Sequence, residues 1–226
     1  AILAGDYLLG RSSELAAGLG TEVASILATT ITELCEGQIL ELETAYNPDR
    51  SIDIYERSIS GKTAALLATA CRIGAIVGDL PRPVVESMTE FGKAYGMAFQ
   101  VVDDILDIIA TDAQLGKPAG NDLVEGIYTL PVIHALAEPG VAAELRPLLT
   151  PDITTAQRDQ ARELVRDSEG VRIALDSAQS WADKAAETLT DLPDTPAARA
   201  LRAAADHLIE RAAAPLGRKR FSHKAR

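Results

Sequence analysis

Aromatic side chains are scarce in this 226-residue chain, at 4% of the total with Trp181 the only tryptophan. Any core must therefore be assembled from alanine, leucine, isoleucine and valine. Cysteine is nearly missing too. Cys35 and Cys71 are the only two, and they lie in no CxxC or Cys/His cluster, so neither a disulfide framework nor a zinc site is indicated. A reducing, cytoplasmic setting is the default that follows. Long hydrophobic runs are lacking: the longest, Ala64 to Gly78, is broken by Arg72 and is too short to span a bilayer. The first residues carry no basic region of the kind that opens a secretory signal. Positive charge is in deficit, with 22 Lys and Arg against 33 Asp and Glu, a net charge of -11 and a pI near 4.8. That balance excludes nonspecific nucleic-acid binding, which needs a basic footprint, and suits a protein that gathers divalent cations.

Alternating strand patterns are absent, and helical periodicity runs through the chain. The spacing predicts a helix over 2–18, then a longer one from Thr21, read as its N-cap, to near Tyr46. Asn47-Pro48-Asp49 breaks it. A short helix over 51–58 and another over 60–77 follow, closed by Gly78-Asp79-Leu80-Pro81. Pro83 suits a first helical turn, and the helix it opens extends to about Ala110. Residues 111–121 read as a polar loop and 122–136 as one helix despite Pro131. Shorter, alanine-rich helices are predicted near 141–149, 155–167, 170–190 and 195–213. The expectation is a single all-α domain over 1–216 and a basic, flexible tail over 217–226. The opening Ala1-Ile2-Leu3-Ala4-Gly5-Asp6 has neither a methionine nor a capping residue, and reads as if sequence belonged upstream of it.

Three aspartates stand out in the helix over 83–110. From Gly96 to Ala110 the chain is almost wholly apolar, yet Asp103, Asp104 and Asp107 are set into it. At about 3.6 residues per turn, Gln100, Asp103, Asp104 and Asp107 share one stripe. Like charges at that spacing repel, and carboxylates seldom lie among buried aliphatics unless something pairs them. A divalent cation is the simplest partner, because Mg²⁺ is commonly held by one or two carboxylates and substrate phosphate oxygens. The competing reading is a solvated helix face, which the surrounding apolar residues argue against.

Two further segments suit phosphate. Gly61-Lys62-Thr63 opens a helix, where free N–H groups and the helix dipole attract anions and Lys62 and Thr63 add a charge and a hydroxyl. No glycine stands at the offset a nucleotide-binding GxxxxGK loop requires, so that alternative is disfavoured. The loop Leu115-Gly116-Lys117-Pro118-Ala119-Gly120 is a compact turn from which Lys117 could reach back toward the aspartates.

Taken in order, these segments resemble the trans-type polyprenyl synthetases, or isoprenyl diphosphate synthases. The matching residues are Gly5-Asp6-Tyr7-Leu8-Leu9, Glu36-Gly37-Gln38, Gly61-Lys62-Thr63-Ala64 and the run from Gly96 to Asp107 that contains Phe99-Gln100 and Asp103-Asp104-Ile105-Leu106-Asp107. The match continues through Gly116-Lys117 and Asp122-Leu123-Val124-Glu125-Gly126 to Thr129-Leu130-Pro131.

The resemblance implies an isoprenoid synthase-type bundle of long helices around a central cavity, with its N-terminal helices missing here. It implies an all-trans polyprenyl diphosphate synthase, an Mg²⁺-dependent prenyltransferase that joins isopentenyl diphosphate head to tail to an allylic diphosphate. By resemblance Asp103, Asp104 and Asp107 hold Mg²⁺. Lys62, Thr63 and Lys117 contact the allylic diphosphate, Phe99 and Gln100 line the site beside isopentenyl diphosphate, and Gln38 lies near the cavity. A medium- or long-chain product for a quinone or lipid carrier, a homodimer, and loose membrane contact for product release are also implied. Two departures matter. Ile127-Tyr128 stand where many members have a lysine, and the first aspartate-rich motif with its neighbouring basic residues has no counterpart in the sequence. The second departure leaves one alternative, a non-catalytic subunit of a heteromeric synthase.

Overall fold

The computed structural model describes residues 2–116 and 118–213. Lys117 and the basic stretch 217–226 lie outside the described residues. Among the described residues every regular element is helical. The order is α1 (Ile2–Gly18), α2 (Thr21–Glu43), α3 (Ile52–Ile59), a π-helical turn (Ser60–Ala64), α4 (Ala65–Val77), α5 (Arg82–Ile109), α6 (Asp112–Leu115) and α7 (Asn121–Val124). After these come α8 (Leu130–Leu136), α9 (Pro139–Leu145), a 3₁₀ turn (Arg146–Leu148), α10 (Thr155–Asp167), α11 (Gly170–Glu187) and α12 (Pro196–Ala213).

Helix α5 is the axis of the bundle. Pro83 sits in its first turn, where the missing N–H costs nothing. Its apolar positions are wide enough to be buried from several sides, and α4 and α11 pack most extensively against it, with α8 and α12 adding further contacts. Met97, Val101, Ile105 and Ile108 meet Leu130 and Val132 of α8, Ala174, Leu175 and Ala178 of α11 and Leu208 of α12 in one continuous core. Burying a side chain of this size contributes about 1.5–3 kcal/mol. The last carbonyls of α5 are not left open: Arg162 of α10 donates from Nη2 to Ile108 O and Ala110 O at 3.0 and 2.7 Å.

The predicted helices are present, but the helix predicted over 60–77 opens as a π-helical turn, the loop predicted over 111–121 contains the short α6, and further differences follow. Thr21 is the first residue of α2 rather than its cap, because the chain reverses at Gly20 with φ 107°, a conformation closed to threonine. Helix α2 stops at Glu43, and Tyr46 takes φ 57° in the turn that follows. Residues 122–136 are not one helix. Gly126, at φ 71°, turns the chain between α7 and α8, and Thr129 precedes Leu130-Pro131 in extended conformation.

The site depends on one close crossing. A Cβ built on Gly37 of α2 would lie 2.4 Å from Lys62 N and 2.7 Å from Ser58 O, and one on Gly61 would lie 2.6 Å from Glu33 O. Only two glycines let these backbones meet. The contact falls on the π turn, whose wide register is closed by Ala65 N–H donating to Ser60 O. Turns of this kind recur at functional sites.

Candidate active site

The aspartate stripe of α5 is divided by its surroundings. Asp104 and Asp107 are buried, at 3% and 4% exposure, while Asp103 is half-buried. Both oxygens of Asp104 are engaged: Tyr55 Oη donates to Oδ2 at 2.6 Å and Gln100 Nε2 donates to Oδ1 at 2.9 Å. Burial pushes the Asp104 carboxyl up to about 7, against the opposing pull of the Tyr55 and Gln100 hydrogen bonds. Burial and the neighbouring Asp104 carboxylate together hold the Tyr55 phenol well above its ordinary value. Asp107 faces the following loop. Its Oδ1 and Oδ2 accept from the backbone N–H groups of Asn121 and Asp122 at 3.3 and 3.2 Å, and its carbonyl accepts from Gly120 N. It thereby ties the start of α7 to the end of α5.

The π turn delivers Lys62 and Thr63 to the same place. Thr63 Oγ1 donates to Gln100 Oε1 at 2.7 Å, joining the turn to the aspartate helix. Lys62 pairs with Glu41 of α2, and the same Glu41 oxygen accepts from Gln38 Nε2 at 3.3 Å. Gln38 therefore belongs to the site through Glu41. Phe99 sits beside Gln100 on α5 and is exposed. Lys62, Gln100 and Asp104 line one small chamber of about 50 Å³ together with Glu41, Arg50, Tyr55 and Asp122. A much larger open groove of about 1050 Å³ lies between α2, α3, α4 and α5, but among the described residues no sequence-predicted site residue lines it. The groove is lined by charged side chains too, among them Glu33, Glu36, Arg57, Arg72 and Lys93, whereas the hydrogen-bonded residues Gln100 and Asp104 line the small chamber.

Three members of this set were not singled out in the sequence. Glu41 is buried at 7% beneath Lys62. Arg50 is buried at 3%, donates from Nη1 to Tyr128 O at 3.2 Å, and stacks 5.6 Å from the Tyr55 ring centre. Tyr55 completes the group. The only local signal was position: Glu41 lies three residues past Gln38, and Tyr55 seven before Lys62, so both fall on the inward stripe of their helices.

A lysine, a threonine, a glutamine and an aspartate, joined in that order by two helices and a π turn, form a polar array suited to a phosphorylated ligand. The profile of the polyprenyl synthetase family matches residues 1–167. The chain belongs to the polyprenyl synthetase family. It is 40% identical over 214 residues to nonaprenyl diphosphate synthase from Mycobacterium tuberculosis, covering 93% of this chain and 64% of that protein. It is 38% identical over 203 residues to heptaprenyl diphosphate synthase component 2 from Geobacillus stearothermophilus, covering 89% of this chain and 63% of that protein. Among solved structures, a polyprenyl synthase from Caulobacter crescentus in complex with calcium and isoprenyl diphosphate superposes with a TM-score of 0.87. It is 33% identical, covering 92% of this chain and 65% of that one. The all-α isoprenoid synthase fold of this polyprenyl synthetase chain follows from that agreement. The chain spans a little over three-fifths of the length of these relatives.

Proposed function

We propose that the protein carrying this chain is a medium- or long-chain all-trans polyprenyl diphosphate synthase, condensing isopentenyl diphosphate with an allylic diphosphate. The observation that carries the reading is the run Thr63–Gln100–Asp104 with Lys62 beside it, which joins the lysine turn to the aspartate helix. The names of the heptaprenyl and nonaprenyl relatives support the product class.

In this reading Lys62, with Lys117, neutralises charge on the allylic diphosphate as its C–O bond ionises, which is where electrostatic stabilisation counts most. Among the described residues no group of three or more His, Cys, Asp or Glu side chains could hold a metal unaided. Mg²⁺ commonly takes one or two carboxylates and completes its shell with substrate phosphates. Asp103, half-buried at the edge of the stripe, is the hard oxygen donor proposed to reach it. Asp104 and Asp107, whose oxygens accept from protein groups, hold the surrounding array in shape. Bound Mg²⁺ supplies charge neutralisation at the departing diphosphate. The apolar side chains of α5 shelter the allylic cation from water, and the released diphosphate takes the proton, so no side-chain base is required.

A cytoplasmic homodimer with loose membrane contact during product release is part of the proposal. No helix among the described residues is long and apolar enough to cross a membrane. A second reading concerns the partner alone: the Geobacillus relative is named as one component, which favours testing for a different second subunit. The deciding experiment incubates the complete gene product with radiolabelled isopentenyl diphosphate, Mg²⁺ and geranyl, farnesyl or geranylgeranyl diphosphate, followed by mass analysis. Expected is a product of six or more isoprene units that disappears with EDTA. No product from any primer would sink the reading.

A further inference from the structure

Tyr55 lies outside every motif, yet it is 1% exposed and its hydroxyl donates to Asp104 Oδ2 at 2.6 Å. The other Asp104 oxygen accepts from Gln100 Nε2, and Gln100 Oε1 accepts from Thr63 Oγ1. These bonds form a directed row. The Asp104 oxygen that faces Gln100 accepts, so it takes the N–H side of the Gln100 amide and turns the amide oxygen toward Thr63. The row is fixed only while the carboxylate itself cannot rotate. Gln100 alone does not prevent that rotation, since it sits on the same helix one turn away and follows the carboxylate. Tyr55 comes from α3 and anchors the second oxygen from outside α5. Its own ring is held by the Arg50 guanidinium stacked 5.6 Å away, and Arg50 is in turn tied to Tyr128 O.

We infer that Tyr55 is a positioning residue of the reaction, acting through Asp104 and Gln100 to fix Thr63 at the mouth of the Lys62 turn. The inference rests on the synthase reading. It assigns α3 a role in turnover that no residue of that helix has in the motif pattern, and it treats Asp104 as an anchor each of whose oxygens accepts from another protein side chain.

The test uses the complete gene product. Tyr55→Phe removes the hydrogen bond to Asp104 and leaves the ring and its Arg50 contact. Its kcat is expected to fall on the order of tenfold, with KM for isopentenyl diphosphate within about twofold of wild type. In a Gln100→Leu background the same change should add less than about twofold, because the row is already cut. A role confined to stability would lower the melting temperature without this split or this non-additivity. Asp104→Asn approaches the row from its other end and should reproduce the kcat loss. Wild-type kcat in Tyr55→Phe, or losses that multiply independently, would overturn the inference. If wild type makes no product from any primer, the synthase reading falls instead. A Tyr55→Phe/Asp104→Asn cycle on urea unfolding then decides the anchor separately: measurable coupling supports it and zero coupling overturns it.

Discussion

Asp104 is a carboxylate enclosed in the bundle core, and its ionisation links the site to stability. Burial raises its folded pKa to about 7, while an unfolded aspartate titrates near about 3.9. Between those values the folded protein keeps a proton that the unfolded chain has released. More protons bound in the folded state means that stability falls as pH rises through this window. The stabilising contribution is complete below about pH 4 and lost above about pH 7. Metal-free protein in EDTA should therefore lose stability between about pH 4 and pH 7, measured by the urea midpoint, and Asp104→Asn should lose distinctly less. Parallel pH profiles for the two proteins would contradict the assignment of this slope to Asp104. The same residue explains the uneven legibility of the site. Lys62, Thr63, Gln100 and Asp104 belong to short patterns with odd chemistry for their surroundings, so the sequence marks them. Arg50 follows an Asn-Pro-Asp turn and resembles any solvated loop charge, and nothing local reveals that it ends up 3% exposed beneath Tyr55.

At the scale of elements, the crossing of α2 with the π turn sets where Lys62 and Thr63 stand. A methyl group on Gly37 would meet three backbone atoms, Lys62 N, Ser58 O and Gly61 C, all within 2.9 Å. Backbone cannot swing aside as a side chain can, so α2 and the turn must separate. Gly37→Ala is expected to cost about 1–3 kcal/mol in urea unfolding and to lower kcat together with affinity for the allylic diphosphate. Gly74→Ala in α4 is the matched control, since nothing lies within 4 Å of its added methyl group. There the helix propensity of alanine should stabilise by about 0.5–1 kcal/mol without changing kinetics. Equal effects at the two glycines would refute the crossing as the cause. The helices themselves were readable because their apolar residues recur at helical spacing over many turns. The π turn was not, because Ser60-Gly61-Lys62-Thr63-Ala64 fits an ordinary α-helix equally well and only the approach of α2 selects the wider form. The break at Gly126 was hidden for a related reason. Its φ of 71° serves the packing of Tyr46, whose ring would lie 2.3 Å from a Cβ there, and Tyr46 is remote in sequence.

At the scale of the whole molecule, helix α1 is the element with least cover among the described residues. Helix α1 has its main contact with α2, and its apolar side chains face outward: Leu3 is 84% exposed, Tyr7 67%, Leu8 66% and Leu15 63%. The neighbouring outer positions of α2, Ile39 and Leu42, are 54% and 62% exposed. Large apolar side chains exposed together on neighbouring helices form a patch of the kind that marks an interface. The homodimer proposed above would cover it economically, because a two-fold contact sets the same face against itself and needs no second surface. Seventeen residues make a helix of about 25 Å, long enough with the outer face of α2 to approach the ~1,600 Å² of a standard interface. The complete gene product should therefore sediment as a dimer. Leu8→Glu, which sets two like charges close together across such an axis, should shift it toward monomer at micromolar concentration while the circular dichroism of the fold is retained. A mass corresponding to one copy joined to a different chain would transfer this face to a heteromeric partner. A wild-type monomer would remove the argument that α1 is an assembly surface at all.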